Sequence, residues 1–182
     1  MQQFFWYVPI FLYNTMNRLL FLTLTLVTGI SVFSCSDTTT NTPAEFIAND
    51  ASFANFATFS NDANRTGVDP ALGAAHAGND ATSSRKIYFK NGQAPVNGKY
   101  PVGTVVVKHT TNQAGTINMI TAMAKRGNNF NPTKGDWEFF MLNPNGSIMT
   151  EGSTVMRGAN LMDGMCGGCH NSAVSKDFIF TK

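Results

Sequence analysis

Cys166-Gly167-Gly168-Cys169-His170 sets two thiols three positions apart and an imidazole directly after the second. On one turn of helix that spacing lets both sulfurs reach the vinyl groups along one porphyrin edge, while the next residue aims a ring nitrogen at the iron. The chemistry such a run can do is covalent attachment of one c-type haem, with Cys166 and Cys169 as thioether sites and His170 as proximal iron ligand. The two glycines let the backbone lie close to a flat ring. Two other chemistries use paired thiols. A redox dithiol wants a βαβ setting that the strand-rich surroundings do not offer, and zinc wants a fourth ligand where only His76 and His109 remain as histidines and no second cysteine pair exists.

The group opposite His170 then decides what such a centre does. A Met or His there makes an electron carrier, whereas an open position makes a catalyst or a gas-binding site. Nine methionines, among them Met141, Met149, Met156, Met162 and Met165, keep the first choice available. His76 lies in a loop of small residues. His109 follows Lys108 on a strand, where alternation puts Val105, Val107 and His109 on one face and Thr104, Val106 and Lys108 on the other. At most one of Lys108 and His109 therefore faces the same cofactor.

The elements that must position these groups are legible as patterns. Residues 44–59 carry Phe46, Ile47, Phe53 and Phe56 at helical spacing and predict an amphipathic N-terminal helix. Residues 60–84, with Gly67, Pro70, Gly73 and Gly78, predict long loops. Arg85–Lys90, Gly103–Thr110, Thr116–Lys125, Asp136–Leu142 and Phe178–Thr181 are rich in Val, Ile and Phe or alternate, and predict strands. Asn143-Pro144-Asn145-Gly146 predicts a turn leading to Ser147–Thr150. Short consecutive strands imply a mainly β, α+β fold: an antiparallel sheet with the N-terminal helix and a short helix near 161–171 carrying the cysteines.

Met16-Asn17-Arg18 followed by Leu19–Val27 has the positive start and apolar centre of a secretory signal, shorter than the roughly 20 apolar residues of a membrane span. Val32-Phe33-Ser34-Cys35 is similar to a bacterial lipobox, so the expected division is a leader over 1–34, lipid attachment at Cys35, a Thr-rich tether over 35–43, and a haem domain over 44–182. About 148 residues then remain to fold, the size of one ordinary domain. The expected place is the periplasmic side of a bacterial membrane, lipid-anchored. A net charge of +2 gives no sign of a nucleic-acid partner.

Taken in order, Tyr100-Pro101-Val102-Gly103-Thr104-Val105-Val106-Val107-Lys108, Met123-Ala124-Lys125-Arg126-Gly127, Gly135-Asp136-Trp137-Glu138-Phe139-Phe140-Met141, Cys166 to His170, and Asp177-Phe178-Ile179-Phe180-Thr181 resemble the cytochrome P-460 family over roughly residues 70–181. The resemblance implies a mainly antiparallel β fold, usually dimeric, and a haem open on its distal side. It implies that Lys108 matches the strand lysine bonded to a meso carbon of the porphyrin in members that oxidise hydroxylamine. The implied activity is oxidation of a small nitrogen species, with electrons passed to a soluble cytochrome. Related cytochromes c′-β lack the lysine bond and bind nitric oxide in an aromatic pocket, for which Phe130, Trp137, Phe139 and Phe140 are candidates here. His109 departs from the acidic residue that commonly follows the strand lysine. Asp80, Asp136 and Glu138 are the candidate distal proton acceptors.

Overall fold

Four segments rich in Val, Ile, Phe and Met pair side by side and bury apolar side chains on both faces of the sheet they form. The computed structural model describes residues 44–70 and 79–180. Its centre is a six-stranded, wholly antiparallel sheet of β1 (Ser60–Thr66), β2 (Ser84–Phe89), β3 (Val105–Thr111), β4 (Asn118–Lys125), β5 (Trp137–Leu142) and β8 (Arg157–Gly158), in that spatial order. β6 (Thr150–Glu151) and β7 (Thr154–Val155) form a separate small hairpin. Among the described residues two short α-helices occur: α1 (Asp50–Phe53) and α2 (Met165–His170). The expected antiparallel sheet with helices is present.

The register sorts the side chains. Ile87, Lys108, Thr121 and Met141 pair across one row, and Phe89, Val106, Met123 and Phe139 across the next, so all eight share one face. On the opposite face Tyr88, Val107, Ala122 and Phe140 belong to a core completed by Ala48, Phe53 and Phe56 from the N-terminal segment. Glu138 is buried on that side, where it accepts from Arg157 Nε at 2.7 Å and lies 3.5 Å from Arg126 Nη1.

Three expectations for local structure are corrected. Residues 44–59 do not form one helix. Asn49 caps α1 in a reciprocal box with Ser52, Ala54 is extended, Asn55 is left-handed at φ 55°, and a 3₁₀ turn follows at Phe56–Thr58. Asn, Asp and Ser side chains compete for the backbone and favour caps over helix interiors, so the aromatic spacing reaches the core through turns. Ser60–Thr66 is an edge strand, not a loop. Its polar residues face solvent on both sides except near Ala63, which leaves no hydrophobic period to read. Phe178–Phe180 is not a strand: left-handed Asp177 and Phe178 turn the chain so that Phe178 and Ile179 pack onto the sheet face instead of pairing at its edge. The turn at residues 143–146 forms as expected, with Gly146 N donating to Asn143 O at 2.9 Å.

The leader, Cys35, the tether up to Pro43, His76 and Thr181 lie outside the described residues. Among the described residues no helix is long and apolar enough to cross a membrane.

Tyr100 is buried beneath β2 and β5, stacked on Phe89 at 5.5 Å and edge-on to Trp137 at 5.9 Å. Burial pushes its phenol up to about 12, aided by the negative charges of Asp62 and Asp177. With the unfolded phenol near 10, its contribution is complete below pH 10 and lost as pH rises towards 12, because only the unfolded chain can ionise it cheaply. The unfolding free energy from urea titrations should therefore fall between pH 9 and pH 12 by about 1–3 kcal/mol more in the native protein than in Tyr100→Phe. Parallel losses in both proteins would show that this phenol does not titrate abnormally.

Candidate functional site

Gly164, left-handed at φ 82°, starts α2, and a Cβ there would lie 2.8 Å from Asn160 Oδ1. Gly167 is buried against Lys134 and Phe139, with a hypothetical Cβ 3.4 Å from Lys134 Cγ and 3.6 Å from Phe139 Cε2. This glycine lets the helix sit down on β5, whereas Gly168 faces open space. Cys166 and Cys169, both unpaired and half-buried, line a cavity between α2 and the sheet.

His170 ends the helix. Its Nδ1 lies 2.7 Å from the Phe178 carbonyl oxygen. A carbonyl only accepts, so Nδ1 carries the proton and Nε2 the lone pair, the tautomer a metal-ligating imidazole needs. Phe139 at 5.6 Å and Phe180 at 5.3 Å hold the ring from two sides.

The sheet closes the cavity with Ile87, Val106, Thr121 and Met123, and Lys108 lines it beside the two cysteines and His170. Counting the open solvent in its mouth, the space enclosed by these residues is about 900 Å³. Burial pushes the Lys108 ammonium below its usual range; Cys169 opposes that shift and Arg85 adds to it. His109 lies on the other face, 2.7 Å from Asn118 Oδ1 and edge-on to Phe56 at 5.9 Å. The alternation of β3 thus brings Lys108, and not His109, to the cysteines.

Sequence reasoning missed three residues here. Arg85, only 2% exposed, lines the cavity with Nε and Nη1 unpartnered, while its Nη2 donates to the Gly67 carbonyl. Arg65 pairs opposite it on β1, and Asp69 lies 3.6 Å from Arg65 Nη1 at the rim. A buried guanidinium with two nitrogens lacking acceptors suits a cavity that receives a polar or anionic group. The available signal was weak: an arginine at the start of a strand reads as a solvated end.

The expected proton acceptors are used elsewhere. Asp80 caps its own loop, accepting from Thr82 Oγ1 at 2.8 Å and Thr82 N at 2.7 Å, and that bonding holds its carboxyl below the usual range. Asp136 accepts from Asn131 N at 3.0 Å, and Glu138 faces the opposite side with its arginines. Of the aromatic candidates, Phe139 and Phe140 both line the cavity, Phe139 on the His170 side, while Phe140 also belongs to the core on the opposite face of the sheet. Trp137 donates to Asp177 O at 2.8 Å, and Phe130 stacks under Arg126 at 4.0 Å. None of Met141, Met149, Met156, Met162 and Met165 lines the cavity, whereas Met123 does.

The alternatives for the thiols fit less well. Among the described residues no three His, Cys, Asp or Glu side chains gather to hold a metal ion. Burial raises the Cys166 thiol, opposite to an activated redox thiol, and the sheet contains no parallel βαβ unit. Paired sulfurs on one turn, a ring nitrogen with its lone pair on Nε2, an apolar wall and an unpartnered guanidinium fit a haem.

A family model described as Cytochrome P460 matches residues 69–181, which include Asp69, Arg85, Lys108 and the whole of α2. No curated protein and no solved structure matches the chain.

Proposed function

The chain belongs to the cytochrome P460 family, and from that premise we propose that it is an exported, lipid-anchored mono-haem cytochrome that binds and oxidises a small nitrogen species such as hydroxylamine. The observation that carries this reading is that Cys166, Cys169, His170 and Lys108 line one cavity. Cys166 and Cys169 would hold haem c by thioethers, His170 would ligate iron through Nε2, and Lys108 would bond to the ring edge. When bound, the haem supplies a redox metal that accepts electrons from a ligand at its open side.

The chain's own residues supply orientation and proton handling. Phe178 O fixes the His170 ring through Nδ1–H. Arg85 presents Nε–H and Nη1–H to a polar ligand in the cavity, where a charge-assisted hydrogen bond is worth about 1.5–3 kcal/mol. Asp69 is the carboxylate at the rim and takes the role of proton acceptor in place of Asp80, Asp136 and Glu138. Ile87, Val106 and Met123 keep water from the sheet side. A soluble cytochrome would take the electrons, the chain would pair as a homodimer, and Cys35 would carry the lipid on the periplasmic side.

Protein matured in a host competent for cytochrome c assembly should change its visible spectrum with hydroxylamine and turn over with an artificial electron acceptor. A haem-loaded protein with no response of either kind overturns the reading. The same apolar wall favours a second reading, nitric oxide binding without turnover. Tight nitric oxide binding alongside inert hydroxylamine would select it. A simple electron carrier would instead exclude carbon monoxide from the reduced iron.

A further inference from the structure

Asp177 and Phe178 have φ of 51° and 67°, a pair of left-handed residues of which one is aromatic. A bulky residue holds that conformation only where its surroundings over-determine it. Here they do. The Asp177 carboxylate accepts from Tyr100 N at 2.8 Å and from Lys125 Nζ on both oxygens, at 2.9 and 2.7 Å. Its backbone carbonyl accepts from Trp137 Nε1 at 2.8 Å, and Phe178 N donates to Ala173 O at 2.9 Å. A Cβ on Gly135 would come within 2.9 Å of the Phe178 ring, so the turn is seated against bare backbone.

Lys125 and Asp177 are 7% and 4% exposed. A buried ion pair is a weak stabiliser, because desolvation offsets most of the attraction. This one has a specific geometric result: a single carbonyl, Phe178 O, held 2.7 Å from His170 Nδ1.

We propose that the buried Lys125–Asp177 pair is a positioning device for the proximal imidazole, locking the Asp177–Phe178 turn and, through it, the carbonyl that accepts the His170 Nδ1 proton. The proposal rests on the reading of His170 as the iron ligand. A well-formed Nδ1–H···O=C bond makes the imidazole a stronger donor through Nε2 and favours oxidised iron. Lys125 and Asp177 would thus tune a metal they never touch.

The test uses full-length, haem-loaded Asp177→Asn, which keeps the shape and an acceptor for Tyr100 N but loses the charge. At a fixed poise the ratio of reduced to oxidised protein should rise about tenfold, equivalent to about 59 mV for a one-electron couple. The iron–histidine stretching band of the reduced protein should move to lower frequency. Trp137→Phe, which removes another donor to the same turn, should shift both readouts the same way by less. Unchanged potential and band in folded, haem-loaded Asp177→Asn overturn the proposal. If that variant fails to accumulate, Lys125→Met/Asp177→Asn removes both charges together and is held to the same readouts. In the native protein the His170 Nδ1 proton should exchange slowly with solvent, and rapid exchange would count against a fixed carbonyl. Failure of the ligand assignment looks different: it appears as an iron–histidine stretching band that His170→Ala leaves in place, not as an unshifted potential in Asp177→Asn.

Discussion

Alanine at both Cys166 and Cys169 is expected to leave a protein from which acid and organic solvent extract all the haem, where the native protein retains all of it. The reason is local. α2 is a single short helix, and its two thiols lie on the same cavity as His170. Each single variant retains one thioether and should stay coloured, with the visible band displaced by the vinyl group left unreacted. The double variant keeps His170, so it can still bind haem reversibly, but dilution should strip it. Stability reports the same event. Ile87, Val106, Met123 and Phe139 face the cavity, and a cofactor bound only by the folded state at a thousandfold excess over its Kd contributes about 4 kcal/mol. For a domain of this size that loss corresponds to roughly 10–15 °C in Tm. A double variant that keeps its colour through extraction would place the attachment elsewhere and remove the basis of the functional reading.

What could be read from the sequence followed the range of the interaction. The cysteine motif is local, and a single turn of helix presents it as its spacing implies. The assignment of Lys108 and His109 to opposite faces needed only the period of a strand, and the register bears it out through Ile87, Thr121 and Met141. The Arg85 side of the cavity was not legible because it is assembled across the sheet. Arg85 acquires meaning only from its pairing with Arg65 and its burial, and Asp69 only from its closeness to Arg65. Acidic residues within the resemblance blocks did not lead to the cavity: Asp136 and Glu138 sit in one such block, yet both bond within the chain itself. Phe178 to Phe180 misled because an apolar triplet reads as a strand, while the decisive fact is a left-handed turn stabilised by Lys125, far away in sequence.

The largest effect on chemistry is expected at Lys108. A strand lysine with its ammonium in water is charged and inert; this one faces the cavity, and burial lowers its pKa, the direction that favours a nucleophilic amine. Joining that nitrogen to a ring carbon replaces an N–H and a C–H with one N–C bond, and two protons and two electrons leave to an external oxidant. The mature protein should therefore weigh two hydrogens less than polypeptide, lipid and haem combined, and a digest should yield the Lys108 peptide only as a branch joined to the Cys166–His170 peptide. Lys108→Leu should restore the full mass, release the peptide, and return the spectrum to that of an ordinary c-type haem. Haem content should be unchanged, since the thioethers remain. Hydroxylamine turnover should fall at least about a hundredfold, close to 3 kcal/mol of barrier. Lys108→Arg separates linkage from charge: a guanidinium stays protonated and cannot bond to the ring, so it should behave as leucine does in mass and spectrum. A native protein with a free Lys108 peptide and an unexceptional spectrum would move the chain to the ligand-binding reading, in which the apolar wall of Ile87, Val106 and Met123 is the working surface and Lys108 is a buried amine beside it.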